Sequence, residues 1–162
     1  MTAILHPHPY ALSVALAPGQ RLLGIDPGTR IIGLAVSDPS LTIAASLGSI
    51  RRDRLSAVAA TITGIARDRN AGGIVIGLPV NMDGSEGRRA ESTRDWSRAL
   101  SDATGLAVAF WDERMSTQAV TRAMLAADLS RSKRARRTDQ AAAAYILQGA
   151  LDAIRAGGPI GA

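Results

Sequence analysis

Two apolar runs, Arg21 to Asp26 and Ile31 to Asp38, are separated only by Pro27-Gly28-Thr29-Arg30. A Pro-Gly pair in so short a connection predicts a tightly turned hairpin. A weaker third strand is expected at Ala44 to Ile50. From Asp53 to Arg69 the period changes, and Leu55, Val58, Ala59, Ile62, Ile65 and Ala66 recur at the spacing of a helix with one buried stripe. Gly72-Gly73 interrupts it, and Ile74-Val75-Ile76 is a short continuous apolar run, typical of a central strand covered on both faces. A polar loop from Leu78 to Gly87 leads into a helix with the stripe Trp96, Ala99, Leu100 and Ala103, stopped by Gly105. Ala107 to Trp111 is the next strand, and a helix from Ser116 carries Val120, Ala123, Met124 and Ala127. A basic loop follows, then a last helix from Asp139 to about Ala156, N-capped by Thr138 and closed by Gly157-Gly158-Pro159. A hairpin sheet extended by β–α crossovers makes an α/β domain, its mixed five-stranded sheet flanked by helices. Folds of this class gather their functional groups at strand ends and adjoining loops.

Composition adds limits. With 162 residues, 46% of them hydrophobic, the chain suits one globular domain. No apolar run approaches the roughly 18 residues that span a bilayer. The absence of cysteine excludes disulfides and thiolate-bound metals. The first twenty residues lack Lys and Arg and are broken by His6-Pro7-His8-Pro9, so residues 1–20 read as a loose, flexible extension rather than a secretory leader, and residues 21–162 as the domain. A cytoplasmic setting is expected. The formal charge of +5 is concentrated in one place: Arg131, Lys133, Arg134, Arg136 and Arg137 fall within seven residues that contain no acid. Such a run is either a solvated face or a patch that contacts phosphates.

Three carboxylates stand at positions that a fold can bring together. Asp26 ends the first strand before Pro-Gly, with Gly24 and Gly28 leaving room for a ligand or another backbone to approach. Glu113 follows the Ala107–Trp111 strand, and alternation sets Asp112 and Glu113 on opposite faces, so that one can serve chemistry while the other caps a turn or pairs with Arg114. Asp139 lies three, four, seven and eleven residues before Ala142, Ala143, Ile146 and Ala150, an apolar face whose alanines permit close packing on a sheet. Carboxylates aimed at one point repel one another unless a divalent cation lies between them. Two such cations about 3.5–4 Å apart can activate a water and stabilise the leaving oxygen of a phosphodiester. Mg²⁺ or Mn²⁺ suits an all-oxygen donor set. On a basic chain, Asp26, Glu113 and Asp139 therefore predict a metal-dependent nuclease, with Arg131 to Arg137 holding phosphates. Arg30 and Arg114, beside two of the acids, either contact the scissile strand or pair with carboxylates.

The motifs resemble one family in particular. Gly24-Ile25-Asp26-Pro27-Gly28-Thr29 followed by Ile32-Gly33-Leu34-Ala35-Val36-Ser37-Asp38 is similar to the opening of the YqgF (RuvX) family. Ile76-Gly77-Leu78-Pro79 with Asn81-Met82-Asp83-Gly84-Ser85-Glu86-Gly87, Trp111-Asp112-Glu113-Arg114-Met115-Ser116-Thr117, and Asp139-Gln140-Ala141-Ala142-Ala143 running to Ile146-Leu147-Gln148-Gly149 match it in order. The resemblance implies a ribonuclease-H-like fold and kinship with Holliday-junction resolvases. It further implies divalent-metal hydrolysis at the 5′ end of pre-16S ribosomal RNA, in ribosome biogenesis. The family's acidic positions fall on Asp26, Glu113 and Asp139. Partners so implied are structured RNA, pre-16S rRNA above all, and ribosomal precursor particles, with no membrane and a monomer or homodimer as the active unit. The nearest alternative keeps the chemistry and changes the substrate to four-way DNA junctions, cut by a dimer. Sugar kinases and actin-like ATPases share the Gly-x-Asp-x-Gly-Thr hairpin but need two lobes to enclose ATP, and this chain has the length for one. A non-catalytic binding module would have no need of the three acids.

Overall fold

The structure is a computed structural model that describes residues 2–115 and 131–157, with only the backbone of 131–140 described. Its elements are β1 (Leu5–His6), α1 (Pro9–Val14), β2 (Arg21–Pro27), β3 (Ile31–Ser37), β4 (Ala44–Arg51), α2 (Leu55–Arg69), β5 (Ala71–Leu78), α3 (Arg88–Thr104), β6 (Ala107–Asp112) and α4 (Arg131–Arg155). They build one mixed sheet in the order β1-β6-β5-β2-β3-β4. The β2–β3 hairpin and β4 are antiparallel, whereas β5 joins β2 in parallel and β6 joins β5 in parallel. The α/β expectation is met, with six strands rather than five.

The added strand comes from the segment expected to be a loose extension. Leu5 and His6 pair in parallel with Val108 and Ala109 of β6, and the backbone of Ile4 bonds to Val108 and to the Ser101 hydroxyl. Pro9 starts α1 at a position where a missing N–H costs nothing, and the His8 imidazole accepts a hydrogen bond from the Tyr10 amide. Leu12 of α1 is fully buried. Its side chain must leave water, and the uncovered face of the sheet is the nearest apolar surface.

Each face of the sheet carries its own core. Leu23, Ile25, Ile74, Ile76, Val108 and Phe110 point to one side and meet α2 and α3. Leu22, Ala35, Val75 and Ala109 point to the other, against Leu12 and against Ala143, Ile146, Leu147, Ala150 and Leu151 of α4. This alternation is the period of a strand buried on both sides, as expected for Ile74-Val75-Ile76. The α2 stripe is as predicted, with Val58, Ala59, Ile62 and Ala66 buried.

In α3 the buried row differs from the predicted one. It is Ala90, Thr93, Ser97, Leu100 and Ser101, while Trp96 and Ala99 are half-buried and Ala103 is exposed. Small hydroxyl residues can face the sheet because their O–H groups bond locally: Ser97 donates to the Thr93 carbonyl at 2.6 Å and Ser101 to that of Leu106 at 2.7 Å. A search for apolar residues alone passes over such a face.

The basic run from 131 to 137 is not a loop; it forms the first turns of α4, so Thr138 and Asp139 sit inside the helix rather than at its start. Arg, Lys and Ala are strong helix formers with no Gly or Pro to stop them, and like-charge repulsion along the run costs only a few tenths of a kcal/mol per pair. The helix expected from Ser116, with Val120, Ala123, Met124 and Ala127, lies outside the described residues. No helix among the described residues is long and apolar enough to cross a membrane.

Candidate functional site

Strand alternation decides which side chains reach the α4 face. Leu22 is in the α4 core and Gly24 lies beneath Leu147, so Asp26, two residues on, points the same way. On β6, Ala109 and Trp111 lie on that face and Glu113 continues it, while Asp112 turns to the other side. Asp26 and Glu113 thus stand at the same end of the sheet, on β2 and just past β6. Between them runs β5. Gly77 lies one step beyond the Ile25–Ile76 pair, beside Asp26, and is itself paired with Trp111. A Cβ at Gly77 would sit 3.2 Å from Glu113 Cγ and 3.3 Å from its Oε1. The missing side chain is the gap through which Glu113 crosses β5 to reach Asp26.

The Glu113 carboxyl lies beside that of Asp26, where two negative charges would repel each other, so Glu113 holds its proton more tightly than a free carboxyl does. Burial, then the bond to Asp26, then the nearby charges of Asp26 and Asp112 push its pKa up to about 8, with Arg89 pulling the other way. Two acids forced together in a half-buried place are a site built for positive charge, and both donors are hard oxygens of the kind that hold Mg²⁺ or Mn²⁺.

Close packing of α4 on this face also matches the predicted alanine-rich contact. A Cβ on Gly24 would fall 2.8 Å from Leu147 Cβ and 3.0 Å from the Ala143 carbonyl oxygen. The room left by Gly24 is therefore taken by a neighbouring backbone. Gln148 pins the helix laterally, accepting from the Ala44 amide and donating to the Thr42 carbonyl, both at 2.9 Å. Asp139 lies one turn ahead of Ala143 by helical count, on the row that continues through 143, 146 and 150. Arg131, Lys133, Arg134, Arg136 and Arg137 occupy the two turns before it.

The remaining candidates divide. Arg114 is committed: its guanidinium grips Asp112 through Nε and NH2 (2.6 Å for the latter), and NH1 donates to the carbonyls of Asn81 and Met82. Asp112 is held below its usual pKa, chiefly by that hydrogen bond. Of the two roles foreseen for Asp112 and Glu113, Asp112 has the pairing one. Through Arg114 it fastens the 79–87 loop, which Arg94 secures again by a bidentate bond to Glu86. Arg30 is exposed in the β2–β3 turn. Sequence reasoning missed Arg52, Arg88 and Arg89, which line a cleft with Pro27 and Thr29 just beyond Asp26. The signal was present in Arg88-Arg89, two cations opening a helix where its dipole disfavours them.

The sequence profile of RuvX, described as Holliday junction resolvase, matches residues 20–153. This chain belongs to the RuvX family. Membership makes it a nuclease, a hydrolase that cuts phosphodiester bonds. Among relatives of RuvX, a protein of Acidiphilium cryptum named "Putative pre-16S rRNA nuclease" is 50% identical over 141 residues, spanning 87% of this chain and 89% of its own. One of the same name from Gluconacetobacter diazotrophicus is 52% identical over 139 residues, covering 85% and 90%. The fold is similar to that of Thermus thermophilus RuvC solved with a Holliday junction substrate, at a TM-score of 0.56 and 16% identity over 85% of this chain and 95% of that one. The fold is thus ribonuclease-H-like.

Proposed function

We propose that this RuvX protein is a divalent-metal-dependent endonuclease that processes the 5′ end of pre-16S ribosomal RNA in the cytoplasm. The Asp26–Glu113 pair carries the reading, because two neighbouring half-buried carboxyls make a place where a cation would relieve repulsion. Asp26 and Glu113 would hold Mg²⁺ or Mn²⁺, with Asp139 brought in from α4 as a third oxygen donor. When bound, the metal supplies Lewis-acid activation of a water and stabilisation of the departing oxygen. The protein's own residues place the donors: Gly77 lets Glu113 through, Gly24 seats α4, and Arg114 keeps Asp112 occupied on the opposite face. The basic turns at 131–137 would bind phosphates and add affinity without reading sequence. The relatives' shared name supports the RNA substrate.

The family description favours a second reading, a resolvase acting as a dimer on four-way DNA junctions. Incubation with an RNA carrying the 16S 5′ leader and with a DNA junction, each with Mg²⁺ or Mn²⁺, separates the two. Metal-dependent cleavage of the leader is expected from wild type, and a loss of about 10²–10³-fold from Asp26→Asn, the scale of removing one charge-stabilising group. Binding of RNA by that variant should persist, because the groups that hold phosphates lie elsewhere. Paired symmetric nicks in the junction, with the leader intact, would transfer the assignment to the resolvase. Equal cleavage by Asp26→Asn would remove the mechanism.

A further inference from the structure

Beside the carboxyl pair, the β2–β3 turn and the start of α3 enclose a cleft of about 260 Å³. Pro27 and Thr29 form one wall, Arg52 and Trp96 another, and Arg88 and Arg89 a third. We propose that this cleft seats a backbone phosphate of the substrate strand next to the one that is cut, held by Arg88 and Arg89. The assignment rests on the nuclease reading above and adds to it a second point of attachment, distinct from the basic turns of α4.

Charge is the first argument. Three guanidinium groups line the cleft and no carboxylate does, so an anion would relieve the repulsion among them. Four other arginines are held by acids: Arg94 by Glu86, Arg98 by Asp95, Arg114 by Asp112 and Arg155 by Asp152. Neither Arg88 nor Arg89 forms an ion pair with a described residue. Both occupy the first turn of α3, after Gly87, whose lack of a side chain offers that turn no cap. Cations there oppose the helix dipole and weaken the helix by a few tenths of a kcal/mol each. Helix stability does not account for them; a ligand would.

The chemistry of the walls narrows the ligand class. Arg52 is fixed in place, donating from NH1 to the Gly28 carbonyl at 3.0 Å and lying over the Trp96 ring at 5.1 Å. That guanidinium covers the indole face that a nucleobase would need for stacking. The remaining groups are guanidinium N–H donors and the hydroxyls of Thr29 and Ser92, which suit phosphate and sugar oxygens. Position fits too, since Pro27 adjoins Asp26 and the charge of Arg89 is felt at Glu113. The cleft and the carboxyl pair thus share one end of the sheet, where a single strand would meet both.

The test is RNA binding at several salt concentrations without divalent metal, using the 5′-leader fragment and an Arg88→Gln/Arg89→Gln double variant. An Arg67→Gln/Arg69→Gln variant, on the last turn of α2, removes the same charge elsewhere. Removing one charge-assisted hydrogen bond to phosphate should weaken binding roughly tenfold and reduce the slope of log K against log salt by about 0.7–0.9 per phosphate released. The α2 variant should retain the wild-type slope. Wild-type binding and slope in the Arg88/Arg89 variant, or an equal effect from both variants, would overturn the proposal. Failure of the nuclease reading would show separately, as wild-type protein that binds with the cleft-dependent slope yet cuts nothing with metal.

Discussion

Glu113 meets Asp26 across a strand that belongs to neither of them. The carboxyl of the residue after β6 passes over Gly77 of β5 and comes beside the one on β2. The pairing depends on a missing side chain as much as on the two acids.

Gly77→Ala should therefore separate the pair. The new Cβ would be 2.6 Å from Ile146 Cδ1, which can swing aside, and 3.2 Å from Glu113 Cγ, which must then shift against Asp26. We expect a stability cost of about 1–3 kcal/mol in urea denaturation, the range for overpacking, with a fall in cleavage. Wild-type denaturation and cleavage would show that Glu113 does not need the gap.

Metal-free stability should depend on pH through Glu113. Its pKa is raised from an ordinary 4.5 to about 8. The folded protein therefore holds the proton while the unfolded chain has lost it, and stability falls as pH rises through that window. Below the lower value the contribution is complete; above the upper one it is gone. Melting temperatures from pH 5 to 9 should decline for wild type relative to Glu113→Gln, which has no carboxyl to ionise. Mg²⁺ should raise the wild-type melting temperature more at pH 8 than at pH 5. Parallel profiles for the two proteins would contradict the raised Glu113 pKa.

Arg114→Lys should loosen the 79–87 loop while leaving the fold intact. A single ammonium cannot grip Asp112 and reach the Asn81 and Met82 carbonyls together. The cost to global stability should be small for so accessible a pair. Amide exchange at residues 81–86 should quicken and cleavage should drop severalfold. Unchanged exchange would mean that Glu86 and Arg94 hold the loop unaided.

Neutralising Arg134, Arg136 and Arg137 together should weaken RNA binding and flatten its salt dependence, by about 0.7–0.9 in slope for each phosphate no longer neutralised. Because these residues open α4 as a helix, circular dichroism should accompany the binding series. Full helicity with unaltered binding would show the run to be a solvated face.

Much of the fold was legible in the chain, because periodicity reports burial directly. The hairpin from Arg21, the α2 stripe and the doubly buried Ile74-Val75-Ile76 follow from which residues must leave water. The N-terminal segment did not read this way, since only Pro9, Leu12 and Leu16 face the core in and just after one short helix, too few positions to establish a period. The buried row of α3 was hidden because Thr93, Ser97 and Ser101 are polar in sequence and satisfied only in place. Asp112 and Glu113 were separable in advance, as adjacent strand positions face opposite sides. Gly77 and the Arg52, Arg88, Arg89 cleft were not, for each joins residues from elements remote in the chain.

By itself the sequence determined an α/β sheet, the two strand-end acids Asp26 and Glu113, and the apolar row of α4 that Asp139 precedes. These follow from local period and from the chemistry of each side chain. Only the tertiary structure decided that β5 lies between β2 and β6, that Gly77 opens the way across it, and that the Glu113 carboxyl therefore comes beside that of Asp26. Strand order is set by the burial of whole faces, which no local stretch of residues records.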